Sequence, residues 1–262
     1  MERIVTFDDG ASTTLDSWGS SGPNILCVHG ITSSRKSWAR FATRFALANR
    51  VWAYDQRGHG DAGAVHGPMT HARMVADLAA VVSAIGEPVD ALVGHSWGGA
   101  IALLGGLQGL AKRVVAIDPM VHQVLPWRED FVEDVAADLA LEPGAREHAY
   151  MERYAAWGEL EIAGKVHAVQ HMSIDTIERL GSENRADEGG WDLRERIAGY
   201  PLSLLTFLAG RDSVVTGHDR TWLEQRLGTN ARVVIFPDAG HNLHRTHFDE
   251  FVRDVEVFFL SS

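Results

Sequence analysis

The chain has a single cysteine, Cys27, in 262 residues, so no intrachain disulfide can form. Its neighbours, Ile25-Leu26-Cys27-Val28, make it a small core residue rather than a nucleophile. No uninterrupted apolar run is long enough to span a bilayer. The opening Met1-Glu2-Arg3-Ile4-Val5-Thr6-Phe7 has no apolar core of signal-peptide length, and a cytoplasmic location is expected. Basic residues are scarce: 24 Lys and Arg against 35 Asp and Glu give a formal net charge of −11. That balance disfavours nucleic acid or an anionic membrane as a partner, because both attract basic surfaces. There is no Walker-type loop and no G-x-G-x-x-G, so no nucleotide cofactor is expected. No repeat of solenoid period and no low-complexity linker divides the chain.

What is present suits one sizeable α/β domain, with 45% hydrophobic residues. Arg3 to Asp8 and Thr13 to Trp18 read as an opening hairpin turning at Asp9-Gly10. Asn24 to Ile31 is an apolar strand. Trp38, Phe41, Phe45 and Ala48 then share one helical face. The strand Val51 to Tyr54 runs into Asp55-Gln56-Arg57-Gly58-His59-Gly60-Asp61. A helix from Met69 to Ile85 stops at Gly86 and Pro88. Further strands cover Pro88 to Val93, Arg113 to Asp118, Leu202 to Asp212 and Ala231 to Phe236. This alternation of apolar strands with helices predicts a mainly parallel central sheet covered on both faces.

Gly94-His95-Ser96-Trp97-Gly98 matches G-x-S-x-G between a strand and the apolar helix that begins near Ala100. A serine on such a turn is held in a strained conformation that lifts its hydroxyl clear of the sheet. A serine hydroxyl is a weak nucleophile and needs a base, which in turn needs an orienting acid. His241, in Pro237-Asp238-Ala239-Gly240-His241 after the last strand, is the expected base. Asp212 and Asp118 both end strands and compete for the acid. Asp238 is too near His241 in sequence to serve.

With Ser96, an acid and His241 in that chain order, the sequence resembles the α/β-hydrolase fold superfamily, in its small capped serine-hydrolase and esterase branch. The resemblance covers about the first 120 residues and the last 60. It implies a core of residues 1–119 and 200–262, with a helical cap of residues 120–199 inserted after the sixth strand. It favours Asp212 as the acid, because Ala-Gly-Arg-Asp resembles the usual acid loop, and keeps Asp118 as the alternative. It places the oxyanion donors at the backbone N–H groups of Ile31 and Trp97, with the Trp97 indole narrowing the pocket. Asp55 to Asp61 resembles the family's D-x-R-G-x-G-x-S loop, with Asp61 where serine is usual. Serine at the elbow separates the chain from dehalogenases and epoxide hydrolases, which carry aspartate there, and from dienelactone hydrolases, which carry cysteine.

The segment of residues 120–199 reads as helices without a convincing strand. Phe131, Val132, Val135 and Leu139 have helical spacing. Trp127, Tyr150, Tyr154 and Trp157 are candidates for an apolar ceiling. His167 and His171 stand four apart, but His-Ala-Val-Gln-His lacks the glutamate of H-E-x-x-H, and no metal is expected. The expected activity is hydrolysis of carboxylic esters of small to medium, largely apolar molecules through an acyl-enzyme. Carbon–carbon cleavage, lactone opening, perhydrolysis and, more distantly, ligand binding without turnover use the same residues.

Overall fold

The computed structural model describes residues 2–63, 67–186 and 189–260. Among these residues ten strands are formed: β1 (Glu2–Thr6), β2 (Ser12–Trp18), β3 (Asn24–Val28), β4 (Arg50–Tyr54), β5 (Val89–His95), β6 (Arg113–Ile117), β7 (His122–Val124), β8 (Gly190–Asp192), β9 (Ser203–Ala209) and β10 (Ala231–Phe236). Eight of them make one sheet in the order β1-β2-β4-β3-β5-β6-β9-β10. Pairing is parallel from β4 to β10, and the opening hairpin adds two antiparallel strands at one edge.

The central strands are apolar on both faces, as a doubly covered parallel sheet requires. In β3, Leu26 and Val28 enter one core while Ile25 and Cys27 enter the other. Val114 and Ala116 of β6 alternate with Val115 and Ile117 in the same way. Helices α1 (Ala39–Phe45) and α11 (Phe248–Leu260) supply Phe41, Phe45, Phe251 and Val255 to one core. Helices α2 (His71–Ile85) and α3 (Trp97–Leu107) supply Leu78, Val81, Ile101 and Leu104 to the other. Thr70 caps α2 by accepting from the Arg73 N–H, and Gly86 closes it in a left-handed conformation at φ 78°.

Between β6 and β9 lie α4 (Glu129–Ala140), α5 (Arg146–Arg153), α6 (Glu159–His171), α7 (Ile174–Glu183) and the short α8 (Arg194–Ile197). The expectation of no strand here is corrected by β7 and β8, which pair antiparallel. Three-residue strands almost 70 positions apart leave no periodic signal. Their pairing is anchored by Trp191, buried and donating its indole N–H to the Met120 carbonyl at 3.1 Å. After β9 come α9 (Gly217–Arg226), β10, the single turn α10 (Leu243–Thr246) and α11.

The turn joining β5 to α3 is held against the end of β3 by missing side chains. A Cβ on Gly98 would sit 2.3 Å from the carbonyl oxygens of Val28 and His29, and one on Gly94 would sit 2.2 Å from that of Gly98. Both contacts are with backbone, so neither can yield by a rotamer change. Gly98→Ala should therefore destabilise the fold by about 3 kcal/mol, an overpacking cost read as a lower urea midpoint. An unchanged midpoint would show that the turn can open without loss.

Candidate active site

Ser96 stands at this turn with φ 56° and ψ −120°, a region that costs a non-glycine residue about 1–3 kcal/mol. The sheet holds it there: its N–H donates to the Ile117 carbonyl at 2.9 Å, and its own carbonyl accepts from Ala100 and Met120.

Of the two candidate acids, His241 contacts Asp118, the alternative, and not Asp212. His241 Nδ1 lies 2.7 Å from Asp118 Oδ2, and no hydrogen bond joins His241 to Asp212 among the described residues. Asp118 ends β6, next in the sheet to the strand that carries Ser96, and is fully buried. Its Oδ1 accepts from the Ala209 N–H at 3.1 Å and the Ser213 hydroxyl at 2.6 Å; its Oδ2 also accepts from the Val214 N–H at 3.1 Å. The end of β9 and the loop after it thus supply donors to the Asp118 carboxylate. Asp212 lies on that loop, exposed, at the cavity wall.

With Nδ1 on Asp118, the other nitrogen of His241 is left for Ser96. The Ser96 hydroxyl makes no hydrogen bond to His241 among the described residues, and such contacts commonly tighten only with substrate bound. His95 donates from Nε2 to the His241 carbonyl at 3.0 Å, and its ring stacks 4.5 Å from His241 and 4.4 Å from His244. Burial, together with neighbouring cations, pushes His95 and His244 well below the usual histidine range. They stay neutral and pack the loop, leaving His241 as the base that geometry favours.

Trp97 opens α3, so its N–H has no acceptor within the helix. Ile31 lines the cavity and its N–H makes no backbone hydrogen bond among the described residues. Neither amide has a backbone acceptor among the described residues. The Trp97 indole does not narrow the pocket: it is fully buried, 4.5 Å from the His71 ring and 5.6 Å from Trp191. Non-glycine residues with positive φ among the described residues are Thr32, Ser96, Asp118 and Asp212. Three of them line the cavity and the fourth holds His241, a clustering of strain typical of functional sites.

The cavity encloses about 390 Å³ between the sheet's end and the helices of residues 120–199. Trp127, Tyr154 and Trp157 line it, and Tyr154 stacks on Trp157 at 4.1 Å. Tyr150 is fully buried in the packing of the helices behind them. The lining departs from the apolar one expected, because Lys165 and Arg245 belong to it and both are buried. Arg245 lies one helical turn after His241, on α10. A lone arginine in a polar stretch carries no sequence signal of burial, so neither cation was a candidate.

Asp61 is more than a variant of the usual serine. It accepts from Arg35 Nη2 at 2.8 Å and lies 3.0 Å from His167 Nε2, tying the core loop to α6. Its carboxylate and both α6 histidines could place ligand atoms within 4.8 Å of one another. The Arg35 guanidinium shares its single charge among that carboxylate, Asp16, Asp55 and Glu2. Beside it, a Cβ on Gly164 would lie 2.5 Å from the Ser37 backbone, so α6 packs closely on the turn that follows the Ile31 loop.

Residues 25–254 match the alpha/beta hydrolase family. The chain is 25% identical over 248 residues to N-formylmaleamate deformylase of Pseudomonas putida, covering 89% of this chain and 87% of that protein. It is 24% identical over 255 residues to the sn-1-specific diacylglycerol lipase ABHD11 of Mus musculus, covering 90% and 80%. A match of 29% identity over 119 residues reaches only 42% of a Schizosaccharomyces pombe protein. The crystal structure of an N-formylmaleamic acid deformylase from Pseudomonas putida S16 superposes with a TM-score of 0.80 at 19% identity, covering 97% of this chain and 100% of that one.

Burial also sets a pH limit. It pushes His29 and His71 down to about 4 and His59 down to about 3. The unfolded chain takes up these protons near the ordinary value, so stability is complete above about pH 6.5 and falls below it. The slope expected just below that value is about 1.4 kcal/mol per pH unit for each histidine. Urea midpoints at pH 7.5 and 5.5 check this; equal midpoints would mean that the rings charge without unfolding.

Proposed function

The chain belongs to the alpha/beta hydrolase family, and on that premise we propose that it is a serine hydrolase cleaving a carboxylic ester through an acyl-enzyme. The observation that carries this is the 2.7 Å contact of His241 Nδ1 with buried Asp118, at the same cavity that the strained Ser96 lines. His241 takes the Ser96 proton as the hydroxyl attacks the substrate carbonyl. Asp118 holds the ring in the tautomer that leaves the other nitrogen free, and stabilises the imidazolium that forms. The N–H groups of Ile31 and Trp97 receive the developing oxyanion. Collapse expels the alcohol, protonated by His241, and a water activated by the same ring releases the acid and restores Ser96.

The helices of residues 120–199 act as a cap that roofs the cavity and limits substrate size. A deformylase and a lipase among the relatives support acyl transfer while leaving the leaving group to be set by the pocket. No helix among the described residues is long and apolar enough to cross a membrane, and the one buried thiol fits a reducing, cytoplasmic setting.

Hydrolysis of p-nitrophenyl esters of increasing acyl length tests the reading. Ser96→Ala should abolish turnover. Asp118→Asn should lower kcat by roughly 10⁴, as loss of the orienting acid does in other triads. Asp212→Asn should stay within a few-fold of wild type. A collapse with Asp212→Asn and a mild effect of Asp118→Asn would return the acid to Asp212, and serine-independent turnover would sink the mechanism.

A further inference from the structure

One of the two buried cations of the cavity, Lys165, is paired with Asp138, whereas the other is not. Arg245 is 4% exposed and forms no ion pair within 4.0 Å among the described residues. Its Nε donates to His244 Nε2 at 3.3 Å and its Nη2 to the Ser33 hydroxyl at 3.1 Å. A guanidinium has five N–H donors, so three are left over. The acid whose charge acts on it, Glu161, lies beyond ion-pair distance and is paired through Oε1 with Arg40 at 3.3 Å, its Oε2 making no hydrogen bond among the described residues. Across the cavity Asp138 serves two cations, Lys165 and Arg153, each at 2.7 Å. The remaining acids of the lining, Asp130, Asp134 and Asp212, are exposed, and Asp130 is paired with Arg128.

A buried cation without a counter-ion is costly unless something else supplies the charge. Burial pushes Arg245 down to about 10, which still leaves it charged at neutral pH. Its plane is fixed by the Trp157 ring 4.2 Å away, and Ser33 ties it to the loop that carries Ile31. A planar fork held rigidly beside the oxyanion loop, with donors to spare, fits a planar carboxylate. A dianionic phosphate suits the site less well, because Asp138 and Asp134 share the same wall.

We propose that Arg245 is a specificity-determining residue that binds a carboxylate group of the substrate. The inference rests on the serine-hydrolase reading for the fate of that substrate but not for its binding. The preferred substrates are then small anionic acyl compounds, rather than the largely apolar esters that the sequence suggested.

Two matched esters test it: mono-p-nitrophenyl succinate, with an anionic acyl group, and p-nitrophenyl butyrate, its neutral counterpart. Wild type should prefer the anionic ester by about 10–100-fold in kcat/KM, the range of a charge-assisted pair. Arg245→Met should bring that ratio close to one, and Arg245→Lys should keep part of it. 4-Acetoxybenzoate beside phenyl acetate asks the same of the alcohol side, and an Arg245-dependent preference on either side supports the subsite. A ratio unchanged in Arg245→Met on both sides, or a wild-type preference for the neutral esters, overturns it.

Calorimetric titration of Ser96→Ala protein with succinate reads binding without turnover. Binding should occur there and weaken at least about tenfold when Arg245→Lys is added, a change that keeps charge and bulk should Arg245→Met fail to fold. Absent succinate binding beside intact Ser96-dependent ester hydrolysis overturns the subsite alone. Succinate binding without any Ser96-dependent hydrolysis overturns the serine mechanism alone.

Discussion

The molecule is organised by one close backbone approach. Gly98 lies so near the carbonyls of Val28 and His29 that no side chain fits between them. That contact presses the start of α3 onto β3 and forces the preceding residue, Ser96, into a conformation that side chains rarely adopt. The strain is stored because both flanks are rigid: β3 and β5 are central strands with apolar residues on each face. A softer sheet would relax, and the hydroxyl would sink back towards the backbone.

Asp118 and His241 are positioned by the same sheet. Asp118 extends from β6, beside β5, and the end of β9 with the loop after it wraps its carboxylate with two backbone N–H groups and a hydroxyl. Little freedom remains to the group that orients His241. His95 fixes the other side of the loop by bonding the His241 carbonyl, and burial keeps it from charging in competition. Neutral His95 and His244 leave the base as the one ring of that stack in contact with a carboxylate.

The helices between β6 and β9 are joined to the sheet by polar contacts as well as apolar ones. Asp61 bridges Arg35 of the core to His167 of α6, and the Ser34 hydroxyl donates to the Gly164 carbonyl at 2.9 Å. These contacts flank the loop bearing Ile31, so the roof of the cavity is tied to that loop. The cations meet only where roof and sheet meet: α6 and α4 bring the paired Lys165 and Asp138, and α10 brings Arg245.

Local pattern determined much of this protein. The apolar runs gave the strands of the parallel sheet their places, since a strand covered on both faces must be apolar throughout. Gly94, Ser96 and Gly98 between a strand and a helix marked the elbow, because the steric demand is carried by residues adjacent in the chain. His241 was legible from its place after the last strand. Only the tertiary structure shows which of Asp118 and Asp212 His241 contacts. Both end parallel strands and look alike in one dimension; what separates them is which carboxylate the neighbouring loop surrounds with donors. Arg245 was hidden for a related reason: whether a cation is solvated or buried without an acid depends on chain segments about 80 to 210 residues away, from Ser33 to Lys165.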